Sequence, residues 1–319
     1  MSYKYCIVGF GIAGQILILE LLKAGVPKNE IIICDETFLG GDLTIKYGSV
    51  LSNTPWWKTK KALEIYTSDL PDYPTDKCTP VREIVKACLQ TALKATEGID
   101  KLTTTVLSLE PGWTIKHIFG SFTAEKVFLT IGAAEKTIDL PLPKIPLHIA
   151  LDKQQLINHI NPNDKITVFG TSHSGTIILD NLNQLSTPTT AVYKGQGPFI
   201  FESERYGGLK EASEVHAKAI LNGEYPNITL IPWSDPISVY KILSKTTKII
   251  CATGFESKSP FGKEYIEYDP ATAEIRAGPN IYGFGIAYPG ITTLDGVIYQ
   301  DVSVLSFQEQ IQRCLPAII

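Results

Sequence analysis

Residues 5–14 read YCIVGFGIAG, and this stretch decides the fold. Its first four residues are the apolar run of a buried strand, and the glycines that follow form a G-x-G-x-x-G turn that opens a helix ending near Gly25. Residues 31–34, IIIC, predict a second buried strand that ends at Asp35. Strand, turn, helix, strand and acid in this order are a βαβ unit, which indicates an α/β fold.

Each glycine of this first turn has a physical task. Gly9 permits the tight turn out of the strand, Gly11 lets the backbone approach a pyrophosphate, and Gly14 lets the helix pack close to the sheet. The helix N-terminus attracts an anion, and Asp35 is placed to accept hydrogen bonds from a ribose. The pattern predicts a dinucleotide site. The alternative is a glycine-rich turn that serves packing alone.

The same plan returns in the second half of the chain. Residues 165–169, KITVF, predict a strand, and GTSHSG at 170–175 predicts the turn that follows it. Ser172 stands where the middle glycine is expected, and it serves there if its φ is allowed. Each turn is followed by an apolar strand that ends in threonine and glycine, T-x-G at 130–132 and A-T-G at 252–254. The sequence therefore predicts two Rossmann-like dinucleotide-binding domains.

Three prolines at 140–146, LPLPKIP, predict the boundary between the two domains. The first domain would be discontinuous, covering 1–146 and 256–319, and the second, 147–255, would be inserted into it. The segment 280–287, NIYGFGIA, resembles the stretch by which known proteins with two such domains return to the first one. Residues 38 to about 80 form a long connection, which we predict to be an ordered, functional loop.

Composition excludes several classes of protein. A net charge of −4 and a pI near 5.8 give no reason to expect nucleic acid or an anionic membrane as a partner. The six cysteines include no C-x-x-C pair, and the five histidines show no metal-ligand spacing. No signal peptide and no long apolar stretch is evident. We expect a cytoplasmic protein with neither disulfides nor a metal site.

The loop motifs carry a family resemblance. Residues 47–53 read YGSVLSN, residues 66–69 YTSD and residues 71–74 PDYP. Together with Gly40-Gly41 and ATGF at 252–255, they resemble the flavin-containing monooxygenases, in that family's order, from residue 5 to about 261. The family's F-x-G-x-x-x-H fingerprint before the second turn is not met, although His148 is available.

The resemblance implies FAD and NADP(H) as cofactors, with a small-molecule substrate and O₂ as partners. The reaction it implies is transfer of one oxygen atom to a soft nitrogen or sulfur. Asn53 would be catalytic, beside the isoalloxazine and nicotinamide; its alternative is a turn residue before Thr54-Pro55. The residues that would hold FAD are Gly9, Gly11, Ile12, Ala13, Gly14, Asp35, Gly41, Leu43, Gly132, Gly285 and Ile286. The residues that would hold NADP(H) are Gly170, Thr171, Ser172, Ser174, Gly175, Lys194, Thr253 and Gly254.

Several alternatives stay open at this point. Lys194, or Arg205 nearby, would pair with the 2′-phosphate of NADPH, but a solvated surface lysine and NADH are the alternatives. Trp56 and Trp57 either line a substrate pocket or anchor their loop. The function is either oxygenation, a flavoprotein reductase or oxidase activity without oxygenation, or nucleotide binding without turnover. A dithiol reductase is disfavoured because no C-x-x-C exists. Monomer and homodimer are both open.

Overall fold

The computed structural model describes residues 2–203, 207–258, 267–294 and 296–319, and it is a mixed α/β structure with parallel sheets. The predicted fold class is confirmed. The strands are β1 (Ser2–Val8), β2 (Ile31–Asp35), β3 (Leu51–Pro55), β4 (Cys78–Pro80), β5 (Asp100–Thr103), β6 (Val106–Glu110), β7 (Thr114–His117), β8 (Gly120–Leu129), β9 (Ala133–Glu135), β10 (Ile166–Phe169), β11 (Thr189–Tyr193), β12 (Ile228–Pro232), β13 (Lys248–Cys251), β14 (Phe255–Ser257), β15 (Ile281–Gly283), β16 (Gly290–Leu294) and β17 (Val297–Asp301). The helices are α1 (Ile12–Lys23), α2 (Asp42–Ile45), α3 (Trp56–Leu63), α4 (Val81–Ala95), α5 (Leu147–Leu151), α6 (Lys153–Leu156), α7 (His173–Gln184), α8 (Glu211–Leu221), α9 (Pro236–Leu243) and α10 (Val304–Ile318).

The chain divides into two compact units. Unit 1 comprises residues 1–134 and 256–319, and unit 2 comprises residues 135–255. The chain first passes from unit 1 to unit 2 between residues 134 and 135, before the proline-rich stretch at 140–146, whereas the boundary predicted from the sequence lies after that stretch. That stretch is not a linker, because Ile145 N donates to Ile249 O and Ile249 N donates to Pro143 O, both at 2.9 Å, which adds it to the edge of the unit 2 sheet.

The sheet of unit 1 has a parallel part and an antiparallel part. The order is β5-β2-β1-β8-β7-β6, and β15 also pairs with β8. Strands β5, β2, β1, β8 and β15 are mutually parallel where they pair, whereas β8, β7 and β6 form an antiparallel meander. The carboxyl ends of β1, β2, β8 and β15 therefore open at one edge of the sheet, where ligands of parallel sheets bind.

Strand β1 is buried on both faces, so its residues alternate between two cores. Tyr5 and Ile7 belong to the core that includes helices α1, α4 and α10. Cys6 and Val8 belong to the core on the other face, which includes Ile115 of the meander. An apolar run of this kind is expected for a parallel strand covered on both faces.

Residues 38–80 are ordered, but they hold more secondary structure than the sequence predicted. Helices α2 and α3 and strands β3 and β4 all lie there. Trp56, the first residue of α3, is fully buried, and its ring meets the edge of Tyr73 at 5.1 Å between centroids. Trp56 is thus a core anchor, whereas Trp57 is exposed. The helix was missed because it has only eight residues and half of them are polar.

Unit 2 is built on a parallel sheet of its own, in the order β12-β11-β10-β13. One face carries a core that includes Phe169, Val192, Val239, Ile249 and Cys251, against which Ile138, Leu140 and Leu142 pack. Those last three residues precede the predicted boundary, which is a second reason why the structural boundary lies earlier.

The described part of the chain contains no helix that is both long and apolar enough to cross a bilayer.

Candidate dinucleotide-binding sites

The first glycine turn encloses its outer glycines and leaves the middle one open. Gly9 has φ +101°, and a Cβ there would lie 2.5 Å from the Thr130 carbonyl oxygen. A Cβ at Gly14 would lie 2.2 Å from the Gly9 carbonyl oxygen. At Gly11 the nearest such atom is Gly40 O, at 3.9 Å. Packing therefore explains why Gly9 and Gly14 are glycines. Packing does not explain the glycine at position 11, whereas a ligand that approaches the backbone there would explain it.

Helix α1 begins directly at this open position. Gly11 is its N-cap, and no side chain caps the helix. The first intrahelical bond is donated by Gln15 N to Gly11 O at 2.9 Å, so the N–H groups of the first turn have no acceptor within the helix. Ile12 and Ala13 are buried in this turn. Free N–H groups and the positive end of the helix dipole suit an anion such as pyrophosphate.

Asp35 ties the turn to the loop that follows β2. Its Oδ2 accepts a hydrogen bond from Phe10 N at 2.6 Å, and its Oδ1 accepts from Thr37 N at 2.9 Å and from Phe38 N at 2.7 Å. Thr37 Oγ1 also donates to Oδ1, at 3.5 Å, so the room that is left for a ribose hydroxyl is on Oδ2, which accepts one bond and has about two acceptor positions. The sequence predicted the ribose contact but not this second task.

The next loop brings two more glycines to the turn. Gly40 and Gly41 have φ +89° and +71°, and a Cβ at Gly41 would lie 3.6 Å from the Gly11 Cα. A Cβ at Gly40 would lie 2.3 Å from Val85 Cγ1, so packing requires that glycine. Leu43 follows on α2 and is exposed. The structure therefore brings Gly41 beside Gly11, as expected of residues that share one ligand.

Two further loops reach the same edge of unit 1. Thr130, which follows β8, is buried, and its Oγ1 donates to the carbonyl oxygen of Gly9 at 2.7 Å. Gly132 has φ +71° with open space around it. Gly285, which follows β15, has φ +87°, and a Cβ there would lie 2.6 Å from the Ala13 Cβ. The return segment therefore packs on the start of α1, and the next residue, Ile286, is exposed.

Sequence reasoning did not single out Thr130 or Gln15 as site residues. Gln15 is fully buried, its Nε2 donates to Phe10 O at 2.9 Å, and its Oε1 has no hydrogen-bond partner among the described residues. The similar strand endings, T-x-G at 130–132 and A-T-G at 252–254, were the sequence signal that could have identified Thr130. A glutamine inside an apolar helix gave no signal at all.

Asn53 lies on β3, and its side chain is exposed. Its Oδ1 accepts a hydrogen bond from Thr54 Oγ1 at 3.3 Å, which is a local contact. The catalytic role of Asn53 stays a prediction.

The turn of unit 2 repeats the packing of the first turn. A Cβ at Gly170, which has φ +100°, would lie 2.2 Å from Ala252 O, and one at Gly175 would lie 2.2 Å from Gly170 O. Ser172 is the N-cap of α7 with φ −73° and ψ −166°, almost the angles of Gly11, which are −69° and −175°. The serine is thus unstrained in the middle position, and it is exposed.

The remaining residues predicted for NADP(H) lie around this turn. Thr171 Oγ1 donates to Pro198 O, and Ser174 is in the first turn of α7. Thr253 Oγ1 donates to Lys136 O at 2.9 Å, and Gly254 has φ +91° with open space around it.

Lys194 follows β11, is exposed, and forms no ion pair within the ranges that the structure describes. Arg205 lies outside those ranges. His148 contacts the Glu135 carboxylate through Nδ1 at 3.3 Å, as a polar contact within unit 2.

No cysteine of the chain is exposed. None of the six forms a disulfide, and all but Cys78 are buried. Hydrogen bonding with Cys34 and burial raise the pKa of Cys6, and burial raises the pKa of Cys88 to about 12. A redox-active thiol needs the opposite, a lowered pKa and access to its substrate.

Comparison with solved structures identifies the fold. The chain is similar to the bacillithiol disulfide reductase Bdr (YpdA) of Staphylococcus aureus, with a TM-score of 0.67 at 12% identity over 99% of this chain and 98% of that one. It is also similar to the HOCl-induced flavoprotein disulfide reductase RclA of Escherichia coli, with a TM-score of 0.54 at 12% identity over 100% and 71%. NADH:rubredoxin oxidoreductase of Clostridium acetobutylicum gives a TM-score of 0.51 at 16% identity over 98% and 74%.

These likenesses show a two-domain, Rossmann-type fold. They do not support the monooxygenase-like family predicted from the loop motifs. No family model matches the chain, and no curated protein matches it either.

Proposed function

We propose that this protein is an FAD-dependent oxidoreductase that takes electrons from NAD(P)H and passes them to an acceptor without oxygenating it. The observation that carries the proposal is the repeated turn. In each unit the outer glycines are enclosed by backbone, whereas the middle position, Gly11 or Ser172, is open at the start of an uncapped helix. Two such anion sites in one chain suit two dinucleotides.

The residues of unit 1 fit FAD. The space before Gly11 and Gly41 would take the pyrophosphate against the N–H groups of α1, and Asp35 would accept from the ribose. Gly132, Gly285 and Ile286 would line the rest of the site, at the carboxyl ends of β8 and β15. Bound FAD would supply two-electron chemistry, accepting a hydride and releasing electrons to an acceptor.

The residues of unit 2 fit a nicotinamide dinucleotide. Ser172 and the N–H groups of α7 would hold its pyrophosphate, and the Ser172 hydroxyl adds a donor that Gly11 lacks. Lys194 is free to pair with a 2′-phosphate, which favours NADPH over NADH. A 2′-hydroxyl would give the lysine no charge to pair with.

Reduction without oxygenation is preferred because of the proteins to which the fold is similar. The similar solved structures are named as reductases and oxidoreductases. A cysteine relay from the flavin to a disulfide is disfavoured separately, because the sequence has no C-x-x-C pair and none of its cysteines is exposed. The acceptor would then take electrons from the flavin itself, as a quinone, an iron centre of a protein or O₂ does.

Oxygenation is the second candidate, and the loop motif at 47–53 is the observation that favours it. In that case Asn53 would donate a hydrogen bond beside the flavin, since a neutral amide stabilises a charged neighbour without supplying a proton. Nucleotide binding without turnover is the third candidate.

The decisive experiment is anaerobic turnover. Purified protein should be yellow, NADPH should bleach it without oxygen, and a quinone or ferricyanide should restore the colour through several cycles. A colourless protein that FAD neither binds nor stabilises contradicts the flavoprotein proposal, and a yellow protein that NAD(P)H never bleaches leaves binding without turnover. If turnover needs O₂ and labelled oxygen from ¹⁸O₂ enters an amine or sulfide, oxygenation replaces reduction.

A further inference from the structure

Trp233 is a half-exposed tryptophan at the carboxyl edge of the unit 2 sheet. It directly follows β12, and 50% of its surface is exposed. Its backbone N donates to Tyr193 O, the last residue of β11, at 2.8 Å. Tyr193 and Pro232 are register partners, so Lys194 and Trp233 are the first residues beyond paired strand ends.

The indole ring is held in place from one side. Its centroid lies 5.9 Å from that of Phe169, with the planes at 71°, which is an edge-to-face contact. Phe169 is buried, ends β10 and is followed by Gly170 of the second turn. The ring therefore lies against the residue that precedes the turn, while half of the surface of Trp233 is exposed and accessible to a ligand.

The order of the strands in the sheet indicates which part of a bound dinucleotide would lie at Trp233. The turn after β10 would hold the pyrophosphate, and the residue after β11, Lys194, would meet the adenosine ribose. The next strand in the sheet is β12. A dinucleotide that runs from β10 across β11 thus places its terminal base at the end of β12, where Trp233 lies.

The loop after β11 lies close to the glycine turn, so the sites for the parts of the dinucleotide would be near one another. Thr171 Oγ1 donates to Pro198 O, so the chain leaving Lys194 comes back to the glycine turn. Pyrophosphate, 2′-phosphate and base sites therefore follow one another along neighbouring strand ends.

We propose that Trp233 is the adenine platform of unit 2, stacking on the base while Lys194 pairs with the 2′-phosphate. This inference rests on the proposed function, because it needs a nicotinamide dinucleotide in unit 2. The competing explanation is a protein-docking surface, because Ile237 and Tyr240 on the neighbouring α9 are also exposed. Stacking on adenine needs an aromatic face at 233 alone, whereas docking would use all three residues.

The test measures binding of adenosine 2′,5′-bisphosphate by calorimetry to the flavin-loaded, full-length protein. Stacking on one base is worth a loss of about 5- to 150-fold on removal of the ring, so Trp233→Ala should weaken this ligand by that factor. Trp233→Phe keeps an aromatic face and should stay close to wild type, whereas Trp233→Leu keeps only apolar volume on Phe169 and should resemble alanine. Ile237→Ala is the matched control and should bind normally.

Reduced nicotinamide mononucleotide, which lacks adenine, should bind all variants equally. If the wild type binds adenosine 2′,5′-bisphosphate and both Trp233→Ala and Trp233→Leu bind it as well, the platform is wrong while the proposed function stands. Equal losses in Ile237→Ala and Trp233→Ala also overturn it. If the wild type binds neither probe nor NADPH, the failure lies in the proposed function. Trp233→Leu and Trp233→Phe decide the matter if the alanine variant does not fold.

Discussion

At the scale of single residues, Gly11 and Gly14 look alike in the sequence and differ in what surrounds them. A side chain at Gly14 would meet backbone at 2.2 Å, whereas one at Gly11 would enter open space. We expect Gly14→Ala to lower the thermal midpoint strongly, and Gly11→Val to fold and lose FAD because its side chain fills the pyrophosphate space. The flavin-to-protein absorbance ratio and the midpoint of the FAD-free protein measure the two effects. Wild-type flavin content in a folded Gly11→Val protein would show that the FAD site lies elsewhere.

We expect Lys194 to decide between the two nicotinamide cofactors, NADPH and NADH. Lys194→Glu should raise the Kd for NADPH by roughly tenfold or more, the size of a lost charge-assisted hydrogen bond, and change that for NADH much less. Lys165→Glu is the matched control, because Lys165 is also exposed but precedes β10 at the opposite edge of the sheet. Equal effects on both cofactors would remove Lys194 from this role.

At the scale of elements, helix α10 contacts half-buried tyrosine side chains. Gln308 Nε2 donates to Tyr66 Oη at 2.9 Å, and Gln310 Nε2 donates to Tyr268 Oη. Burial and the hydrogen bond to Glu20 raise the pKa of Tyr66, and burial raises the pKa of Tyr288 to about 12. The folded protein thus keeps protons that an unfolded chain releases near pH 10.

This difference makes stability fall with alkaline pH. Between about pH 10 and 12 the unfolded state binds fewer protons than the folded one, so the free energy of unfolding decreases as pH rises, and below pH 10 the contribution is complete. Urea unfolding at pH 9 and 11 measures the loss. It should be smaller in Tyr66→Phe and unchanged in Tyr240→Phe, whose phenol is exposed. The same loss in all three proteins would rule out Tyr66 as a contributor.

The elements also show which features of the fold and the site could be predicted from the sequence. Glycine spacing and apolar runs predicted both turns, and Ser172 adopts the backbone angles of Gly11, as the prediction required. Helix α3 was missed because it depends on Trp56 reaching a core that only the folded chain forms. Trp233 was missed because an aromatic residue after a strand has no local signal. Its proposed role depends on the pairing of β12 with β11, which brings Trp233 next to Lys194.

At the scale of the whole molecule, each unit has a core of its own, which predicts two separable stabilities. A ligand that binds only the folded state of one unit stabilises that unit. In calorimetry of the full chain, FAD should raise the midpoint of one thermal transition and adenosine 2′,5′-bisphosphate that of another. A single transition that both ligands shift equally would show that the units unfold together.

The discontinuity of unit 1 has a consequence for biosynthesis. Strand β15 and helix α10, which complete the sheet and core around β1, are translated after the whole of unit 2. At about 5–20 residues per second, ribosomes deliver unit 2 complete some seconds before unit 1 can close. The nascent N-terminal segment therefore waits with part of its apolar surface uncovered. If the protein binds FAD as proposed, capture of the flavin would be the last step of maturation, and slow translation beyond residue 255 would prolong the interval in which chaperones are needed.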